Sequence, residues 1–86
     1  MIQIKITAKN GLHARPASLV ASIARSYPGK IYLEKGGARC DAKNILSVMA
    51  LELTCGDVVI VTACGEHGSL MEKRIEAAIR NFDQTE

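Results

Sequence analysis

The sequence predicts an α+β fold, a single antiparallel sheet with all of its helices on one face. Three observations carry this. Residues 2–8 alternate apolar and polar; from Leu12 the apolar spacing changes to three and four; Val58 to Cys64 is a nearly unbroken β-branched run. Period two marks a half-buried strand, spacings of three and four mark one stripe of a helix, and a β-branched run marks an interior strand. Taken along the chain, these signals give the order β-α-β-β-α-β-α. A sheet with one wet face buries only alternate side chains, which is the two-layer solution. Placing the most apolar strand, Val58 to Cys64, between the first and second strands gives a split β-α-β unit.

Each element has its own justification. Ile2, Ile4, Ile6 and Ala8 form the inward face of the first strand, and Asn10-Gly11 breaks it. Leu12, Pro16, Leu19, Val20, Ile23, Ala24 and Tyr27 make the helical stripe that follows. Proline has no N–H and is tolerated only in the first turn of a helix, so this helix begins near Ala14, with His13 at or beside its N-cap. Pro28-Gly29 marks its end. Lys30 to Lys35 is a strand with Ile31 and Leu33 inward. Gly36-Gly37 is a two-residue hairpin turn, and Ala38 to Ala42 is the return strand. Asn44 is a natural N-cap for a short helix holding Ile45, Val48 and Met49, with Leu51 open as a further member. Leu46 cannot share the narrow stripe of Ile45 and Val48, so a large apolar side chain is left facing water, a feature of contact surfaces. On pattern alone, Ile45 and Met49 suit core and contact equally. Cys55-Gly56-Asp57 is a turn and Gly65 to Gly68 a loop. Ser69 to Glu72 fits a capping box, although the helix could start a turn earlier. Leu70, Met71, Ile75, Ala78, Ile79 and Phe82 form the last stripe, and Asp83 to Glu86 is a polar tail expected to fray.

Composition narrows the function. With 86 residues the prior is a single domain, 1–86, and with no Trp its core must be aliphatic. The net charge of +2 comes from scattered basic residues mixed with acidic ones, which excludes a nucleic-acid footprint. Three cysteines without a C-x-x-C suggest neither a disulfide framework nor a zinc site. Cys40 and Cys64 lie in strand patterns and are expected to serve as small core hydrophobes. Met1 leads straight into a strand pattern, so no secretory signal and no membrane insertion are expected, and a cytoplasmic location is the simplest. No cofactor and no metal are expected. His67, in a glycine-flanked loop, is expected at the surface.

The chemistry concentrates in Asn10-Gly11-Leu12-His13-Ala14-Arg15-Pro16-Ala17. It places an imidazole at a helix start with a guanidinium two residues on. First-turn N–H groups have no partner within the helix and lie at the positive end of its dipole, a setting that suits a phosphate. An ordinary imidazole, with a pKa of about 6.5, is mostly neutral at pH 7 and can act as a nucleophile. Once it is phosphorylated, the N–H groups of Ala14, Arg15 or Ala17 can bond phosphate oxygens (Pro16 has none to offer), and Arg15 supplies donors that match phosphate geometry. Periodicity alone leaves open the simpler reading, a polar residue at a helix end.

The same eight residues resemble the active-site motif of the HPr family, the histidine-containing phosphocarriers of the bacterial phosphoenolpyruvate-dependent phosphotransferase system. The Gly-Gly hairpin and Lys43-Asn44-Ile45-Leu46 fall in register as well. The resemblance implies an open-faced β-sandwich, a four-stranded antiparallel sheet with three helices on one face. It implies that His13 is phosphorylated at Nδ1 by enzyme I, that Arg15 stabilises the phosphate, and that the group passes to IIA domains of sugar permeases. Ile45, Leu46 and Met49 lie where the family docks its partners. The implied role is that of a monomeric phosphotransfer intermediate rather than an enzyme with independent turnover. One position departs: where Gram-positive members carry a regulatory serine, this chain has Asn44, which has no hydroxyl to phosphorylate. An Asn there is similar to nitrogen-branch paralogues, so a regulatory protein acting mainly through protein contacts stands as the alternative. A small acyl-phosphate hydrolase is a weaker third reading, since only Arg15 and Asn10 lie near the phosphate locus.

Overall fold

A computed structural model describes residues 1–7 and 14–85, without the side chains of Ala14 and residues 82–85. Alternation, spacing and turn chemistry resolve into seven elements: β1 (Ile2–Lys5), α1 (Ala14–Arg25), β2 (Lys30–Lys35), β3 (Ala38–Asp41), α2 (Ile45–Ala50), β4 (Val58–Cys64) and α3 (Gly68–Thr85). The strands form one four-stranded antiparallel sheet in the order β1-β4-β2-β3, with β4 between β1 and β2 as expected. The register lines up an inward row, Ile2–Val61–Leu33–Cys40, and an outward row, Gln3–Ile60–Glu34–Arg39. The inward rows meet the helices in a core of Ile4, Ile31, Leu33, Val48, Val59, Val61 and Ile75, all fully buried. In the helical layer α1 packs beside both α2 and α3, and α3 packs on β4. Gly36 and Gly37, with φ of 55° and 86°, make the turn that lets β2 and β3 pair from Lys35–Ala38 onward.

Several expectations change in detail. The β1 ladder stops at Lys5; Ile6 stays buried but bonds Asp57 and Gly56 of the turn before β4, because the β4 ladder begins only at Val58. Ala8 and Asn10-Gly11 lie outside the described residues, as does Leu12. α1 ends at Arg25, ahead of the Pro28-Gly29 stop. Pro28 disfavours helical backbone at Tyr27, and the last turn tightens through Ser26 N–H to Ile23 O and Tyr27 N–H to Ala24 O. The buried stripe of α1 is Pro16, Ala17, Val20, Ala21 and Ala24, whereas Leu19 is 39% exposed. A helix flanked by two others approaches them closely through alanines, so the larger Leu19 turns outward.

β4 is central as expected but covered on one side only. Val59 and Val61 are buried, while Val58, 48% exposed, lies on the open face. Cys40 packs half-buried against the core, but Cys64, last in β4, is exposed and corrects the expectation of a core residue. The capping box at Ser69 is not formed. α3 starts at Gly68, its Met71 N–H bonding His67 O, and the Glu72 carboxylate turns instead to Ala63 N–H at 2.9 Å and to the Met1 amino group at 2.7 Å. Leu70 is exposed rather than part of the buried stripe, and α3 runs through the residues expected to fray as far as Thr85. Among the described residues, no helix is long and apolar enough to cross a membrane.

Candidate functional site

α1 starts at Ala14, so Ala14 and Arg15 are its first two residues. Their amides precede the helix's own ladder of hydrogen bonds; Pro16 has no amide hydrogen, and Ala17 stands fourth, where that ladder begins. Pro16 and Ala17 are buried, which anchors this turn in the core, and the Arg15 side chain is exposed. No acidic residue lies within the first turn of α1 itself, at the positive end of the helix dipole. His13 lies outside the described residues.

α2 carries the second group of candidate residues. Asn44 caps it: its backbone is extended, and its side-chain oxygen accepts from Leu46 N–H at 3.0 Å and Ser47 N–H at 3.3 Å. Val48 is the one buried residue of this helix. Leu46 is 74% exposed and Met49 40% exposed, whereas Ile45 is half-buried and packs against the core. The leftover apolar surface inferred from spacing is therefore Leu46 with Met49, and Ile45 belongs chiefly to the core. α2 lies against α1, so both candidate regions occupy one layer. Arg25 donates to Lys43 O at 3.2 Å and Lys43 Nζ to Tyr27 O at 2.7 Å, tying the end of α1 to the approach to α2. His67 is exposed, as expected, and takes a left-handed φ of 62° before α3.

Two groups near the site carry no sequence signal. Lys35, at the end of β2, reads in a strand pattern as a solvated charge. Its ammonium donates to Glu52 O at 2.9 Å and Leu51 O at 3.2 Å, just past α2, and pairs with Asp57 at 3.0 Å. Asp57 is held below the usual carboxylate range first by Thr54 N–H, then by Lys35 and the Thr54 hydroxyl. Tyr27, read only as apolar, donates its hydroxyl to Glu66 O at 2.7 Å and Cys64 O at 3.3 Å.

A four-stranded antiparallel sheet with three helices on one face is the architecture of a small open-faced α+β sandwich, here with Leu46 and Met49 of α2 left exposed. Known proteins make the class specific. The family model described as the PTS HPr component phosphorylation site matches residues 2–81. The chain is 35% identical over 80 residues to the phosphocarrier protein HPr of Haemophilus influenzae, covering 93% of this chain and 94% of that protein. It is 36% identical over 64 residues to the HPr-like protein Crh of Bacillus subtilis, covering 74% and 75% respectively. A crystal structure of HPr from Thermoanaerobacter tengcongensis superimposes with a TM-score of 0.90 at 33% identity, covering 99% of this chain and 96% of that one. The chain belongs to the HPr family of phosphotransferase-system phosphocarriers.

Proposed function

We propose that the chain accepts a phosphoryl group from phosphorylated enzyme I on His13 and passes it to IIA domains of sugar permeases. The observation that carries this is the motif Asn10 to Ala17 leading into a helix that begins at Ala14. In the forward step the unprotonated ring nitrogen forms a bond to phosphorus as the donor's bond to phosphorus breaks. The new negative charge then lies by the positive end of α1, where the Ala14 and Arg15 amides and the exposed Arg15 guanidinium supply donors. These contributions are individually modest, which suits an intermediate that must release its cargo. Leu46 and Met49 serve as the apolar part of the docking surface.

A regulatory branch worked through a phosphorylated serine finds no support at position 44. Asn44 has no hydroxyl, and its amide oxygen is committed to the start of α2. Ser47 is half-buried within that helix. Incubation with enzyme I and radiolabelled phosphoenolpyruvate tests the proposal. Wild type is expected to take up one acid-labile phosphoryl group per chain and His13→Ala none. Equal label on both, or none on wild type, overturns the proposal. Restored sugar uptake in a strain lacking its own carrier separates phosphate flux from a purely regulatory role.

A further inference from the structure

The short docking helix cannot set its own position. Isolated helices shorter than about 12–15 residues are marginal in water, and α2 spans only Ile45–Ala50. Its pose depends on what holds its buried side and its two ends. Val48 anchors the buried side, and the Asn44 side chain holds the first turn. At the other end the chain leaves through Leu51 and then Glu52, whose φ of 53° is a left-handed conformation that side chains of this kind rarely adopt.

That exit is where Lys35 acts. Its ammonium has three N–H donors, and each has an acceptor: Glu52 O at 2.9 Å, Leu51 O at 3.2 Å and the Asp57 carboxylate at 3.0 Å. The two carbonyls, one on each side of the left-handed Glu52 α-carbon, accept from the same ammonium. Asp57 is itself fixed, its carboxylate accepting from Thr54 N–H at 2.9 Å and the Thr54 hydroxyl at 3.0 Å, and its backbone oxygen from Ile6 N–H at 2.8 Å. Lys35 thus ties three separate pieces together: the β2–β3 hairpin, the exit of α2, and the turn that starts β4.

We infer that Lys35 is a positioning residue for partner docking: it locks the exit of α2 and so sets the outward angle of Leu46 and Met49. This rests on the reading above, that these two side chains meet enzyme I. Lys35 does not need to touch the partner, because its three acceptors lie within its own chain. Arginine at this position keeps the charge but presents a planar fork in place of a compact ammonium, so it restores the clamp only in part.

The experiment is the initial rate of enzyme-I-dependent phosphorylation against carrier concentration, well below the thermal transition of every variant. Lys35→Met is expected to raise KM for the carrier roughly 3- to 10-fold with kcat within two-fold, the signature of lost docking with intact chemistry. Lys35→Arg is expected to recover part of the KM, and Asp57→Asn to raise it less than Lys35→Met does. Glu72→Gln, on α3, is the control for general loss of stability and is expected to leave KM at the wild-type value. A Lys35→Met KM equal to wild type overturns the inference, as does an equal rise in Glu72→Gln. Wild type that takes no label overturns the underlying function instead, which keeps the two failures distinct.

Discussion

Truncating Leu46 to alanine tests the docking surface most directly. Burying a whole leucine side chain contributes about 1.5–3 kcal/mol, and Leu46 is 74% exposed in the free chain. A partner that covers it gains most of that, so Leu46→Ala should weaken enzyme I binding by about 1–2 kcal/mol, or roughly 5- to 30-fold in Kd. The folded chain loses almost nothing, because the side chain has little buried area and alanine is the better helix former. The weakening should also be insensitive to salt, since an apolar contact is lost and no ion pair. Calorimetric titration of enzyme I at two ionic strengths, with a thermal scan of the variant alone, measures all three. A change in Kd under two-fold, or a fall of several degrees in Tm, refutes the assignment. Val48→Ala should show the reverse pattern, a lower Tm from a cavity beneath α2, because Val48 is fully buried. Ile45→Glu is the poorer probe, since Ile45 packs against the core and a charge there disturbs folding and docking together.

Further outcomes follow from the packing. Gly29→Ala would bring a Cβ to 2.2 Å from Cys64 O and 2.6 Å from the Tyr27 ring. It should cost about 2 kcal/mol or more, a fall in Tm on the order of 10 °C by calorimetry; an unchanged Tm contradicts the contact. Tyr27→Phe leaves the carbonyls of Glu66 and Cys64 without this donor and should cost about 1–2 kcal/mol in chemical denaturation. Glu52→Gly relieves the left-handed φ of 53° and should raise stability by up to about 1 kcal/mol; a loss would mean that the side chain, not the backbone, dominates there. Acid should destabilise the fold through two carboxyls. Burial pushes Glu72 up, but Ala63 N–H and the Met1 amino group outweigh it, so its pKa, like that of Asp57, is lowered in the folded state. Both contributions are complete above the unfolded carboxyl pKa of about 4 and are lost as pH falls through the lower folded values. Tm should hold from pH 7 to 5 and drop below about 4, and combining Asp57→Asn with Glu72→Gln should flatten that drop. An equally steep drop in the double variant counts against both assignments.

Local rules act over a few residues, and within that range the sequence determined a great deal. Alternation placed Ile4, Ile31 and Leu33 inward, Gly36-Gly37 specified a two-residue turn, and Asn44 sealed the start of α2 with bonds to residues two and three places on. Spacing also showed that α2 must leave a large apolar side chain in water, and the structure makes Leu46 the most exposed of them. The phosphocarrier motif was legible because its residues are contiguous.

Tertiary structure decided the rest, wherever a side chain's role depends on what arrives from elsewhere. Apolar spacing identified a stripe on α1, but α2 and α3 on either side made alanine the close contact and left Leu19 outside. Glu72 looked like half of a capping box until β4 brought Ala63 N–H within 2.9 Å. Lys35 looked solvated until the exit of α2, 16 and 17 residues along the chain, offered it two carbonyls. A charged or hydroxyl side chain takes whichever partner the fold carries to it, and no periodicity in the chain encodes that partner's address.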